Sequence, residues 1–109
     1  MIRHYALDLK DDAALIAEYD AWHQRVWPEV LEHLRQSGIN RCTIHRAGNR
    51  LFMTVESTTG AATDGGGVPL PPRVQEWEQL MDRLQQRLPF AKPGEKWVLM
   101  HIIFDWHAP

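Results

Sequence analysis

Cysteine is nearly absent: Cys42 is the only one in 109 residues, which excludes an internal disulfide. A lone thiol fits a reducing compartment, so a cytoplasmic location is expected. An excess of basic charge is also lacking, since 12 Lys+Arg stand against 14 Asp+Glu with no basic run. Binding to a phosphate backbone needs clustered Lys and Arg, so nucleic acid is excluded as the expected partner. No stretch approaches the ~20 apolar residues of a membrane span. The opening MIRHYALDLKDD carries an apolar run too short, and too soon followed by acids, to read as a secretion signal. Metal motifs are missing as well. The histidines at 4, 23, 33, 45, 101 and 107 form no H-x-x-x-H or H-x-H pair, which leaves only ligands gathered from several elements. The DGGG at 64–67 is not followed by Lys-Ser/Thr, so it is no phosphate loop.

What is present is patterned for one small domain, residues 1–109, long enough for a real core. Residues 2–9 alternate, with Tyr5, Leu7 and Leu9 on one face, and predict a strand. Asp11 or Asp12 is placed to cap a helix whose apolar stripe is Leu15, Tyr19, Trp22 and Val26. Pro28 pushes Trp27 out of the helical region and starts a second helix, with Val30, Leu31 and Leu34 inward and Gly38 as a left-handed cap. Residues 41–46 and 50–56 read as strands joined by a Gly48-Asn49 hairpin turn. Residues 57–72 are rich in Gly, Pro, Ser and Thr and read as a loop long enough to cover a site. A further helix is expected from Pro72 to about Leu88, carrying Val74, Trp77, Met81, Leu84 and Leu88. WVLMHIIFDW, 97–106, reads as a final strand.

The order is β-α-β-β-α-β with the first helix split, an α+β, ferredoxin-like arrangement. Its fourth strand normally lies at a sheet edge, yet here it is apolar on both faces. Such an edge invites pairing with another chain. A symmetric homodimer closing a dimeric α/β barrel is therefore expected.

The stretch YDAWHQRVWPEV, 19–30, concentrates the chemistry. Tyr19 and His23 are four apart and share a helix face. His23 is rotated off the apolar stripe, toward the rim of the core. An imidazole is the side chain whose unperturbed pKa lies near neutrality, which suits proton transfer, though a half-buried imidazole with one hydrogen bond has the same spacing. Trp22, Trp27 and Trp77 are core residues by pattern, and beside one histidine they also make a wall on which a sugar face stacks. Cys42 sits mid-strand with no evident base nearby, which argues against a nucleophile.

EYDAWHQRVWPEVLEHLRQSGI, NRLFMTVE and VQEWEQLM, with the termini MIRHYALDL and FDWHAP, resemble the L-rhamnose mutarotases over most of the chain. The resemblance is weakest over 57–72. It implies a dimeric ferredoxin-like enzyme that interconverts the α and β anomers of a 6-deoxy-hexose without cofactor or metal. By the same resemblance His23 is the proton donor, and Tyr19 and Trp77 are at the substrate. Two departures stand out: Cys42 occupies the place of a substrate-contacting tyrosine, and Trp77-Glu78 that of a Trp-Trp pair. The sugar is therefore L-rhamnose, or L-fucose or a related sugar. Glu78 and Asp105 are candidates for the base or for hydroxyl recognition, and Trp27 is a further contact candidate. Two rivals share the architecture: a dimeric monooxygenase of aromatic substrates or haem, and a non-catalytic sugar-binding module.

Overall fold

A computed structural model describes residues 1–58 and 70–109. The first strand, β1 (Ile2–Leu9), buries Tyr5, Leu7 and Leu9 on one face, as its alternation predicts. Asp12 caps α1 (Ala13–Trp22) by accepting a hydrogen bond from the Leu15 N–H at 3.0 Å. Trp27 is extended, at φ −59° and ψ 138°, and caps α2 (Pro28–Gln36), so Pro28 starts the second helix as read. α1 stops earlier, at Trp22, where Gln24 and Arg25 bond back three residues in turns, which leaves Val26 of the expected stripe outside the helix. Gly38 follows α2 at φ 81°, the left-handed value that favours glycine. Then come β2 (Ile39–Ala47) and β3 (Arg50–Ser57), paired from Ala47↔Arg50 around Gly48-Asn49. Gly48 carries the positive φ of 58° that this tight turn requires. Asn49 ties the turn to the first strand, its Nδ2 donating to the Leu9 carbonyl at 3.1 Å.

The helix α3 (Pro72–Leu84) is followed by two short strands, β4 (Gln85–Gln86) and β5 (Val98–Leu99). β1 pairs antiparallel with β3 on one side and with both short strands on the other. The order β2-β3-β1-β4, with β5 also beside β1, is the ferredoxin-like order with its fourth strand in two pieces. The helices cover the face that carries Leu9 and Leu51, and one cluster joins these to Tyr19, Val30, Trp77, Met81 and Leu84. Trp97 packs against both this cluster and a second one of Tyr5, Met53 and Val55. Leu7, Leu9, Leu51 and Leu84 are fully buried, each contributing about 2 kcal/mol of apolar transfer.

Three further expectations are corrected. α3 ends at Leu84, four residues before Leu88, because Gln85 turns extended at φ −96° and ψ 154° and pairs with Leu9. The Leu84 carbonyl then accepts from the Lys10 N–H at 3.0 Å, and Leu88 is buried from outside the helix. Leu31 is exposed; the buried side of α2 is set by Val30 with partly buried Leu34 one turn on. The strand expected over 97–106 shrinks to Val98–Leu99 plus one ladder bond, Met100 N–H to the His4 carbonyl at 2.8 Å. By the register Tyr5↔Leu99, β1 begins at Ile2 opposite Ile102, so Phe104 and beyond have no neighbour in this sheet. Ile102, Ile103, Phe104 and Trp106 are exposed, Ile103 at 98%. The loop reading of 57–72 falls largely on residues 59–69, which lie outside the described residues.

Candidate active site

A cavity of about 660 Å³ opens between the helices and the sheet, lined by Tyr19, His23, Cys42, Trp77 and Glu78 among others. It thus brings together five of the seven residues singled out from sequence. The last turn of α1 supplies two of them. His23 stands at the helix end, its Nδ1 2.8 Å from the Tyr19 carbonyl oxygen. A carbonyl can only accept, so Nδ1 carries the hydrogen and Nε2 is the atom left to exchange a proton. The His23 ring lies against Tyr19, with centroids 4.3 Å apart, and meets Trp77 edge-on at 5.6 Å. Two sides of the imidazole are therefore fixed by packing.

Tyr19 is buried, and that burial raises its phenol far above the ordinary tyrosine range. It stays protonated at neutral pH and acts as a hydroxyl, never as a phenolate. Burial likewise pushes the Cys42 thiol up, so the residue on β2 presents a neutral, compact side chain to the cavity. Glu78 on α3 receives a hydrogen bond from Lys96 Nζ at 2.6 Å.

The remaining two candidates are placed elsewhere. Trp27 braces the wall from behind: its ring lies 5.2 Å from Trp77 and 6.4 Å from Trp22, and the Arg73 guanidinium sits 3.9 Å over it. Asp105 lies in the exposed tail, its Oδ1 2.9 Å from His107 Nε2, and does not line the cavity. The shortened last strand is the reason, since a full one would have run along the sheet. Among the described residues no three His, Cys, Asp or Glu side chains gather as a metal site.

A family model described as L-rhamnose mutarotase matches residues 4–106. The chain belongs to the L-rhamnose mutarotase family. It is 48% identical over 101 residues to an L-fucose mutarotase of Xanthomonas campestris pv. campestris, covering 85% of this chain and 78% of that protein. An L-rhamnose mutarotase of Acidiphilium cryptum is 29% identical over 90 residues, 81% of this chain and 85% of its own. The crystal structure of an L-rhamnose mutarotase from Formosa agariphila superposes with a TM-score of 0.70 at 17% identity, covering 98% of this chain and 99% of that one. That likeness is one of fold, the ferredoxin-like arrangement read from the element order.

Several residues that line this cavity escaped sequence reasoning. Asp20 and Arg46 line it together, with Arg46 Nη2 2.6 Å from Asp20 Oδ2 and Nε 2.9 Å from Oδ1. The guanidinium hydrogen bond holds the Asp20 carboxyl below its usual range, and the charge of His23 adds a smaller push. Asp20 adjoins Tyr19 in sequence, but its partner lies 26 residues away, so no spacing advertised the pair. Gln85 also lines the cavity, and its Oε1 is buried without a hydrogen-bond donor among the described residues. Trp97 forms another part of the wall. Both were read as parts of longer regular elements, and their value follows from where those elements break.

Proposed function

We propose that the chain is a sugar mutarotase, a carbohydrate isomerase that interconverts the α and β anomers of a 6-deoxy-hexose such as L-fucose or L-rhamnose. The observation that carries this reading is the His23 ring, with Nδ1 committed to the Tyr19 carbonyl and the ring lining a cavity large enough for a hexose. Protonated His23 donates from Nε2 to the ring oxygen O5, and the C1–O5 bond breaks toward O5. The protonated aldehyde left at C1 is a strong acid and passes its proton to water in the cavity. Rotation about C1–C2 presents the other carbonyl face. O5 then adds to C1 while its proton returns to Nε2 and water protonates O1. One well-placed acid supplies ~10²–10⁴-fold, about 3–5 kcal/mol off the barrier. The reaction already proceeds unaided in water, so that gain suffices.

The other residues hold the sugar. The Tyr19 phenol, kept neutral by burial, donates or accepts a hydrogen bond without adding charge. Trp77 gives an apolar wall for the C6 methyl, stiffened from behind by Trp22 and Trp27. Glu78 offers a carboxylate to the sugar hydroxyls, and the small Cys42 leaves room opposite. The likeness to the Xanthomonas L-fucose mutarotase, at 48% identity, favours L-fucose as the first sugar to try.

The chain works as one domain and, on this reading, as a cytoplasmic homodimer. Support comes from the exposed apolar tail and from β2, which among the described residues pairs only with β3. Among the described residues no helix is long and apolar enough to cross a membrane.

Saturation-transfer NMR of anomer exchange tests the activity. Wild type accelerates exchange of L-fucose or L-rhamnose, and His23→Ala loses about 10²-fold or more of that acceleration. If neither sugar exchanges faster with protein than without it, the mutarotase reading is overturned. If His23→Ala keeps the full rate, the assignment of the acid fails and the activity stands.

A further inference from the structure

We infer that Lys96 is a positioning residue that sets sugar selectivity: it clamps Glu78 through Oε2 so that Oε1 is held at the cavity wall as the acceptor of one sugar hydroxyl. This rests on the mutarotase reading above and names a determinant of its substrate.

Lys96 lies in the connection between β4 and β5, two residues before the sheet resumes at Val98. Its side chain is only 15% exposed, and Nζ bonds two carboxylates, Glu78 Oε2 at 2.6 Å and Asp82 Oδ1 at 2.9 Å. Glu78 and Asp82 are one turn apart on α3, so a single ammonium spans both. Taking an ammonium out of water is costly, and one carboxylate alone repays it poorly. Two offset it better and leave the group of three with a net negative charge. The carboxylates are the more exposed members, so the lysine is the inner, fixed part of the clamp.

The direction of the clamp is the decisive feature. A second cavity of about 730 Å³ adjoins the first, and Glu78, Cys42 and Trp97 belong to the walls of both. Lys96 lines only the second. The ammonium thus approaches Glu78 from the side away from His23 and Tyr19. No donor for Glu78 Oε1 is found among the described residues. A carboxylate gripped at one oxygen and free at the other accepts a hydroxyl in a narrow range of positions. L-Fucose and L-rhamnose differ only in configuration at C2 and C4, so a fixed acceptor tells them apart by where those hydroxyls point. Polar groups left unmatched by the wrong sugar are what make such discrimination strong. The same clamp pins the segment carrying Trp97, the next residue, to α3.

The test measures kcat and KM for anomer exchange of L-fucose and L-rhamnose in wild type, Glu78→Gln, Lys96→Met, Lys96→Arg and the Glu78→Gln/Lys96→Met double variant. Thermal melts identify the folded proteins. Wild type is expected to prefer one sugar by 10-fold or more in kcat/KM. Glu78→Gln and Lys96→Met each bring the ratio close to one, mainly through KM of the preferred sugar, and Lys96→Arg restores most of it. In the double variant the lysine change adds nothing further, because its effect passes through the carboxylate. Wild type with no preference, or a preference that survives Glu78→Gln, overturns the inference while the mutarotase reading stands. A Lys96→Met loss equal for both sugars, or fully additive with Glu78→Gln, shows a purely structural lysine and overturns it as well. Wild type that accelerates neither sugar removes the reading and this inference together.

Discussion

The joint between α1 and α2 and the C-terminal tail are both rich in large apolar side chains, and the chain treats them oppositely. In the joint, Trp22 lies 6.4 Å from Trp27 and 6.3 Å from Trp77, and every ring has another ring as neighbour. In the tail, Ile102, Ile103, Phe104 and Trp106 face solvent. The difference is one of available layers. The apolar side of the joint finds its counterpart in the sheet and in α3, at Leu9, Leu51 and Trp77. A strand that is apolar on both faces needs a layer on each side and a neighbour along its edge, and β1, which begins opposite Ile102, gives it the last of these for only part of its length. The joint is complete within one chain and the tail is not.

The sharpest way to break that comparison is to remove the ring on which the joint converges. Trp77 contacts His23, Trp22 and Trp27, so Trp77→Ala should cost about 3–5 kcal/mol of folding stability by urea or thermal unfolding. A loss below about 1 kcal/mol would mean that the rings are not one packed unit.

The tail gives the second test, with a smaller effect. If a second copy supplies the missing layer, wild type sediments at twice the chain mass. Ile103→Asp/Phe104→Asp should then weaken association by 100-fold or more, about 2.7 kcal/mol, while the chain stays folded. Wild type that remains monomeric at high micromolar concentration would leave the tail exposed by nature and sink the dimer.

The same contrast explains what the sequence disclosed. Tyr19, His23 and Trp77 were singled out by helical spacing together with family likeness, Cys42 and Glu78 by family likeness alone, and all five line one cavity. The β-α-β-β-α order was legible because its alternations are local, down to the positive φ at Gly48. The end of α3 was not. Leu88 continues the helical stripe, and only a tertiary pairing, Leu9↔Gln85, ends the helix before it. The length of the last strand was hidden for a related reason: a ten-residue apolar run says nothing of how far its partner extends. Asp105 was misplaced with it. Lys96 was not singled out, since its contact with Glu78 spans 18 residues and leaves no mark in the spacing.

The smallest effect is confined to the joint and appears at alkaline pH. Tyr19 sits against His23 in the core, and its phenol is held protonated far above the usual value by burial. In the unfolded chain the same phenol ionises near pH 10. Above that pH the unfolded state has lost a proton that the folded state keeps, so stability must fall as pH rises. Its contribution is fully present below about pH 10 and disappears at up to about 1.4 kcal/mol per pH unit above it. Tyr19→Phe keeps the ring and removes the titrating group, so the unfolding free energy of the variant should lack that part of the slope between pH 10 and 11.5. Burial raises the Cys42 thiol in the same sense, and Cys42→Ser should flatten the curve from a lower pH because an unfolded thiol ionises earlier, near 8.5. If wild type and Tyr19→Phe lose stability in parallel above pH 10, the phenol is reached by solvent. The joint would then be as open as the tail.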